Sequence, residues 1–218
     1  MKLTSTTIVK NGMPFIGIAL RIALPYVDQM IITISAKADE ETIKEVFSLR
    51  NPKVEIYWED IEDKGELTRI ENEQFARVKG EWIWMIDDDE LWPEEDLLKV
   101  FTHFHEDIDS ISISPFQVID ATHYERSFDK SFSKFFKREG VSMQTPFPRN
   151  ALYKNGAMLN WRKNPRTLKV PYKYFHMPLV KENSFREEKK WVQYAYKRNN
   201  PVPIPDEYVK KLNEITKL

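Results

Sequence analysis

Four consecutive acids, Asp87-Asp88-Asp89-Glu90, follow the apolar run Trp82-Ile83-Trp84-Met85-Ile86. Side by side at one strand end, four carboxylates repel one another unless a cation sits among them. Hard divalent ions such as Mg²⁺ or Mn²⁺ take oxygen ligands, and Mg²⁺ is usually held by one or two carboxylates together with substrate phosphates. The competing reading is a solvated acidic turn leading into a helix, since Pro93-Glu94-Glu95-Asp96 makes a good first helical turn. Of the four histidines, His103 and His105 read as surface residues of a helix, and His123 is left open.

The elements around the acids follow from punctuation and periodicity. The run Trp82 to Ile86, opened by Gly80, suits a strand buried on both faces. Thr6 to Val9 reads as a first strand ending at Lys10-Asn11-Gly12, and Pro14 opens a helix that Pro25 ends. Gln29 to Ser35 is a second strand, and Ala38 to Leu49 a helix with Ile43, Val46, Phe47 and Leu49 on its buried face. Lys53 to Trp58 is a third, alternating strand, and Leu67 to Val78 a third helix. The resulting βαβαβαβ pattern predicts a largely parallel sheet with helices on both faces, a frame that places ligands outside the carboxyl ends of its strands. Pro93 to His105 follows as a helix and Ser110 to Ile119 as an alternating strand. Asn199 to Pro205 reads as an extended linker, and Asp206 to Leu218 as a terminal helix capped by Asp206.

Composition narrows the function. The 218 residues suit one domain, and the absence of cysteine excludes disulfides, zinc-thiolate sites and cysteine nucleophiles. The N-terminus lacks the apolar core of a signal peptide, and the most apolar segment, Met13 to Val27, is too short to span a bilayer and carries Arg21. A soluble, cytoplasmic protein without a membrane span is expected. The net charge of −1 conceals a polarity: residues 1–120 hold 12 Lys+Arg against 25 Asp+Glu, and residues 121–218 hold 21 against 9. The halves either complement each other or offer the basic half to an acidic partner.

With these residues in place, the chain resembles the family 2 glycosyltransferases of GT-A fold. The resemblance rests on the βαβαβαβ half ending in an apolar strand and D-x-D-E, on Lys10-Asn11 where K-N-E is common, and on Ser35 and Asp39 as S-x-x-x-D. Asn72 and Gly80-Glu81-Trp82 are similar to the R-N…A-x-G-D-W lead-in, with Arg69 displaced from the arginine position. Arg149 to Lys154 is similar to R-x-x-L-F-x, and His176, Lys181, Arg186 and Tyr194 to the closing His…Lys…Tyr stretch. The match is good over residues 5–120 and thin over 121–198. Two departures stand out: Gly12 replaces the acid of K-N-E, and the glycines of the S-x-x-x-D loop are missing.

The resemblance implies a GT-A-like domain over residues 1–198, with a nucleotide-sugar-binding half at 1–120, a basic aromatic acceptor half at 121–198, and the linker and helix at 199–218. It implies transfer of a sugar from a nucleotide diphosphate, most simply a UDP-sugar, to an acceptor hydroxyl with inversion, aided by Mn²⁺ or Mg²⁺. Asp89 and His176 would hold the metal, and Asp87 the metal or the ribose. Lys10, Asn11, Asp39, Asn72, Asp88 and Arg149 would contact substrate, Lys181 and Arg186 the diphosphate, and Trp161 and Trp92 a sugar face. No acid stands where the family places its general base; Asp120, Glu125 and Glu182 are unranked candidates. Residues 121–176 interleave 12 Lys+Arg with Phe128, Phe132, Phe135, Phe136, Phe147, Tyr153 and Trp161, a mixture that also holds unstacked nucleotides. DNA is thus one acceptor class, and a non-catalytic nucleic-acid-binding protein on the same scaffold is the alternative to an enzyme.

Overall fold

The computed structural model describes residues 2–61, 65–104, 107–120, 123–124, 131–144, 158–161, 165–177 and 202–217. The chain begins β1 (Leu3–Val9), α1 (Ile16–Ala23), β2 (Gln29–Ser35), α2 (Glu40–Phe47), β3 (Val54–Glu59), α3 (Gly65–Arg77), β4 (Trp82–Met85), as the alternation of periods predicts. It continues with β5 (Glu90–Leu91), α4 (Glu94–Phe101), β6 (Ser110–Asp120), β7 (His123–Tyr124), β8 (Phe132–Lys137), β9 (Val141–Gln144), β10 (Met158–Trp161), β11 (Thr167–His176), β12 (Val202–Pro203) and α5 (Asp206–Ile215).

The main path of the central sheet runs β12-β7-β6-β8-β4-β1-β2-β3, and β11 pairs with β6 and β5. It is parallel from β4 through β1 and β2 to β3, whereas β8 enters antiparallel between β4 and β6. The chain steps from β1 to β2 to β3 on one side and then returns to lay β4 on the other side of β1. The order therefore reverses between β1 and β4, the switch point at which open α/β sheets hold their ligands.

β2 is buried along its whole length, and Trp82, Ile83 and Trp84 of β4 have no accessible surface. The core is unusually aromatic: Trp82 stacks on Phe104 at 4.7 Å, and Trp84 packs against Phe135 at 5.0 Å and edge-on to Trp92 at 5.4 Å. Gly80, just before β4, is required by proximity, because a Cβ there would lie 2.8 Å from the Lys2 carbonyl oxygen.

Several expectations are corrected. β6 forms where the alternating run Ser110 to Ile119 was read as a strand, but both of its faces, the serine face included, are buried. Its serines are satisfied across the sheet, Ser110 Oγ lying 2.8 Å from Thr167 Oγ1 and Ser112 Oγ 3.0 Å from Ser133 Oγ, so a polar face is buried without loss. Phe47 is 48% exposed and stacks on the equally exposed Trp58 of the edge strand β3 instead of entering the core. Asp206 does not cap α5: Pro205 occupies the cap position and Asp206 is the first helical residue, where its charge still suits the helix dipole. Val202–Pro203, expected within a linker, pairs with β7, and Ile204, Leu212 and Ile215 join the main core.

Candidate active site

Three loops meet outside the carboxyl ends of β2, β1 and β4. After β1, Asn11 reaches the loop after β2: its Oδ1 accepts from the Asp39 backbone N–H at 3.3 Å. With the amide turned, its nitrogen instead donates to Asp39 Oδ2 at 3.1 Å and to the Lys10 carbonyl at 2.8 Å. Asp39 caps α2, accepting from the Thr42 N–H at 2.7 Å and the Thr42 hydroxyl at 2.9 Å, while Thr42 Oγ1 accepts from the Gly12 N–H at 2.9 Å. Lys10, Asn11 and Asp39 are thus brought together. Gly12, which departs from the family pattern, has a steric cause here. A Cβ would stand 2.6 Å from Ile16 Cβ and 2.7 Å from Val9 Cγ2, so no acid fits.

The acidic turn after β4 is the centre of the site. β5 pairs with β11 so that His176 lies opposite Glu90 and Phe175 opposite Leu91. His176 Nε2 lies 3.4 Å from Asp89 Oδ1, and the Met177 N–H donates to the Asp89 carbonyl at 2.9 Å. On the other side of the ring, His176 Nδ1 is 2.6 Å from Gln117 Oε1 on β6. An amide oxygen only accepts, so Nδ1 carries the proton of the neutral ring, and Nε2 donates to Asp89 once the ring is protonated. Burial would lower the His176 pKa, but the hydrogen bond and charge of Asp89 outweigh it and the group is raised.

The first and last acids of the turn are engaged elsewhere. Lys134 of β8 places Nζ 2.9 Å from Asp87 Oδ2 and 2.5 Å from Glu90 Oε1. Although 57% of the Asp87 side chain is accessible, the protein packed around it works against its charge; Lys134 outweighs that effect and holds the carboxyl down at about 2. Glu90, 1% exposed, is pushed by burial up to about 8, Lys134 offsetting only part of the shift. Burial, with the charge of Asp87, also drives Glu71 of α3 up to about 7, and Glu71 Oε2 is buried without a hydrogen-bond partner.

These contacts revise several sequence expectations. Asp87, expected at the metal or the ribose, is paired with Lys134, a partner the sequence did not suggest. Asn72 spends its amide on the fold: its nitrogen donates to the Met143 and Thr68 carbonyls, both at 2.9 Å, and its oxygen accepts from the Met143 N–H at 2.8 Å, pinning β9 to α3. Trp92 is 2% exposed and stacks on Tyr174 at 4.5 Å, so it is core and not a sugar platform; the pairing of β5 with β11 draws it inward. Phe135 and Phe136, read as part of a basic aromatic surface, are fully buried. Lys134, from the same stretch, neutralises the acidic half, as do Arg166 on Asp107 and Lys211 on Asp96 at 3.1 Å. Asp88 sits in the turn between the engaged acids. Arg149, Lys181, Arg186, Glu125 and Glu182 lie outside the described residues, and Trp161 and Asp120 are placed only by their strands, β10 and β6.

Lys134, Glu71 and Gln117 were not singled out by sequence reasoning. Glu71 carried a signal: it occupies the position immediately before Asn72 that the family pattern gives to arginine. Lys134 and Gln117 carried none, because sheet register alone brings them to the turn. Among the described residues no three His, Cys, Asp or Glu groups stand close enough to enclose an ion by themselves.

Acids, an imidazole and a helix-capping loop thus gather at the switch point of a mixed, largely parallel α/β sheet, where such sheets hold their ligands. Comparison gives the family. The profile described as glycosyl transferase family 2 matches residues 30–174, well over half of the chain, and the protein belongs to that family of glycosyltransferases. Among solved structures it is similar to residues 1–349 of Staphylococcus aureus TarS, with 14% identity, TM-score 0.54, and coverage of 96% of this chain and 68% of that one. It is also similar to the Pyrobaculum calidifontis mannosyltransferase PcManGT in complex with GDP-Man and Mn²⁺, with 13% identity, TM-score 0.54, and coverage of 89% and 68%. Against longer TarS, at 13% identity and TM-score 0.51, the chain spans 43% of the neighbour's length. At these identities the likeness is one of fold. No curated protein sequence matches the chain. No helix among the described residues is long and apolar enough to cross a membrane.

Proposed function

We propose that the protein transfers a sugar from a nucleoside-diphosphate donor, most simply a UDP-sugar, to an acceptor hydroxyl, with inversion and with a divalent ion held at Asp89 and His176. The observation that carries this reading is that His176 Nε2 stands 3.4 Å from Asp89 Oδ1 while Nδ1 is engaged at 2.6 Å by Gln117 Oε1, so that Nε2 of the neutral ring is the nitrogen left to bind an ion beside that carboxylate. A histidine ligand whose far nitrogen is fixed by a protein acceptor is the usual way of orienting imidazole toward a metal. The donor set, one carboxylate oxygen and one imidazole nitrogen, fits Mn²⁺ or Mg²⁺ that completes its sphere with water and diphosphate oxygens. When bound, such an ion acts as a Lewis acid on the departing phosphate oxygen.

The protein's own residues do the rest. The loops bearing Lys10, Asn11 and Asp39 form the wall toward β2, the side on which the family contacts the nucleotide, and Asp87 and Asp88 face the donor from the turn. Lys181, Arg186 and Arg149 remain proposals as diphosphate and substrate contacts, and Trp161 as a sugar contact on β10. The acceptor side is proposed to be the 121–198 half, with its base among Asp120, Glu125 and Glu182. As to domains, 1–198 is proposed as the transferase unit on which 199–218 packs.

The test is release of nucleoside diphosphate from a panel of UDP- and GDP-sugars with Mn²⁺, for wild type and Asp89→Ala. Release by wild type that is lost in the variant supports the reading and names the donor. Silence across the panel, with no Mn²⁺-dependent rise in melting temperature in the presence of UDP, overturns it. Including hydroxymethylated duplex DNA and neutral glycans as acceptors then separates the acceptor classes, because transfer to DNA falls steeply with salt and transfer to a neutral glycan does not.

A further inference from the structure

Lys134 is 7% exposed and is held under the acidic turn from the opposite half of the sequence. Lysine is almost never buried unless paired, and here it is paired twice, to Asp87 and to Glu90. Register explains its position: Phe135 lies opposite Trp84 across β8 and β4, so Lys134 falls opposite the last residue of β4, below the point where the acids begin. The Tyr174 ring, 5.7 Å from Nζ, closes the space on another side. Glu90 is buried, whereas more than half of the Asp87 side chain remains accessible.

The arrangement divides the four acids. The ammonium holds Asp87 through Oδ2, the Asp87 side chain remains 57% accessible, and Asp89 and His176 stand together a short distance along the turn. We infer that Lys134 is a positioning residue for the donor: it fixes Asp87 as an acceptor for a donor hydroxyl and keeps that carboxylate out of the metal's coordination sphere. This inference rests on the transferase reading above. It assigns a fixed protein cation to the cleft, which lessens the repulsion between the acids and an incoming diphosphate, and it predicts that the two aspartates of D-x-D fail in different ways.

The experiment compares Lys134→Met, Asp87→Asn and Asp89→Asn in the full chain. Mn²⁺ affinity is read by electron paramagnetic resonance with and without UDP, and kcat and KM for donor hydrolysis are measured alongside. Asp89→Asn is expected to abolish Mn²⁺ binding. Asp87→Asn is expected to leave Mn²⁺ affinity within about twofold of wild type and to raise donor KM about tenfold, the loss of one charge-assisted hydrogen bond. Lys134→Met is expected to raise donor KM similarly with kcat little changed, and to tighten Mn²⁺ binding, since a cation beside the ion is removed and Asp87 is released to it. A purely structural lysine would lower melting temperature and active fraction without splitting KM from Mn²⁺ affinity in opposite directions.

Should Lys134→Met fail to fold, Asp87→Asn decides alone, since that side chain is largely exposed. Equal loss of Mn²⁺ affinity in Asp87→Asn and Asp89→Asn would overturn the inference while leaving the transferase reading intact. Absence of Mn²⁺ binding and of donor hydrolysis in wild type would overturn the transferase reading itself.

Discussion

Gln117→Leu should weaken Mn²⁺ binding although Gln117 touches no substrate. Gln117 is 7% exposed, and its Oε1 is 2.6 Å from His176 Nδ1. Leucine is similar in volume but offers no acceptor, and little water reaches the position to replace one. The ring proton then either stays on Nδ1 unsatisfied, at about 1–3 kcal/mol for a buried orphan donor, or moves to Nε2, where Asp89 Oδ1 at 3.4 Å accepts it. In the second case the proton occupies the face the ion needs. Either route corresponds to about 10–100-fold in metal affinity, the usual cost of losing such a partner, or about 1.4–2.7 kcal/mol.

The assay is titration of Mn²⁺ in the presence of UDP, followed by electron paramagnetic resonance, with melting temperature as the check on folding. Gln117→Glu is the control: it restores an acceptor, adds basicity to the ring, and should bind Mn²⁺ at least as well as wild type. A folded Gln117→Leu protein whose Mn²⁺ affinity lies within about twofold of wild type, below the span expected for such a partner, would refute the assignment of His176 as a ligand. The pH dependence carries a fixed sign. His176 must be neutral to bind the ion and its pKa is raised, so Mn²⁺ affinity should be full above that raised value and fall as pH drops through it.

Without metal the sign reverses. The stabilisation of protonated His176 by Asp89 is fully present below the ordinary histidine value of about 6.5 and is lost as pH rises through the raised folded value, so the melting-temperature difference between wild type and His176→Gln should shrink over that rise. Gly12→Ala should cost about 1–3 kcal/mol by overpacking, because the new Cβ falls 2.6 Å from Ile16 Cβ; an unchanged denaturation midpoint would disprove the close approach. Asn72→Ala removes three hydrogen bonds, two with Met143 and one with Thr68, and should cost about 1–3 kcal/mol, with amide exchange at Met143 accelerated well beyond the global change. Phe135→Ala should cost about 3–5 kcal/mol, because the ring is fully buried among Trp84, Trp92, Phe101 and Phe104; a change in nucleic-acid affinity without loss of stability would restore the reading of this residue as a stacking surface.

The first half of the chain was legible because its signals are local. Buried parallel strands are written as runs of Ile, Val and Thr between glycine and proline breaks, so β2 falls at Gln29–Ser35 as read and β4 begins at Trp82. The acids of the turn were likewise visible as residue types suited to a metal, whereas Asp39, expected as a substrate contact, also caps α2, a role its place in S-x-x-x-D did not announce.

What local pattern could not decide is which of these groups face one another. Trp92 and Trp84 look alike in sequence, yet the pairing of β5 with β11 fixes how each is packed. The serines of β6 imply a wet face until Ser133 and Thr167 arrive from other strands to bond them. Lys134 is one of 12 basic residues between positions 121 and 176, and nothing in its neighbours marks it. Only the antiparallel register of β8 against β4 carries its ammonium beneath Asp87 and Glu90. The sequence alone determined that acids gather at a strand end; the tertiary structure decided which acid meets a cation and which meets an imidazole, because partner choice depends on contacts between residues some 50 to 90 positions apart.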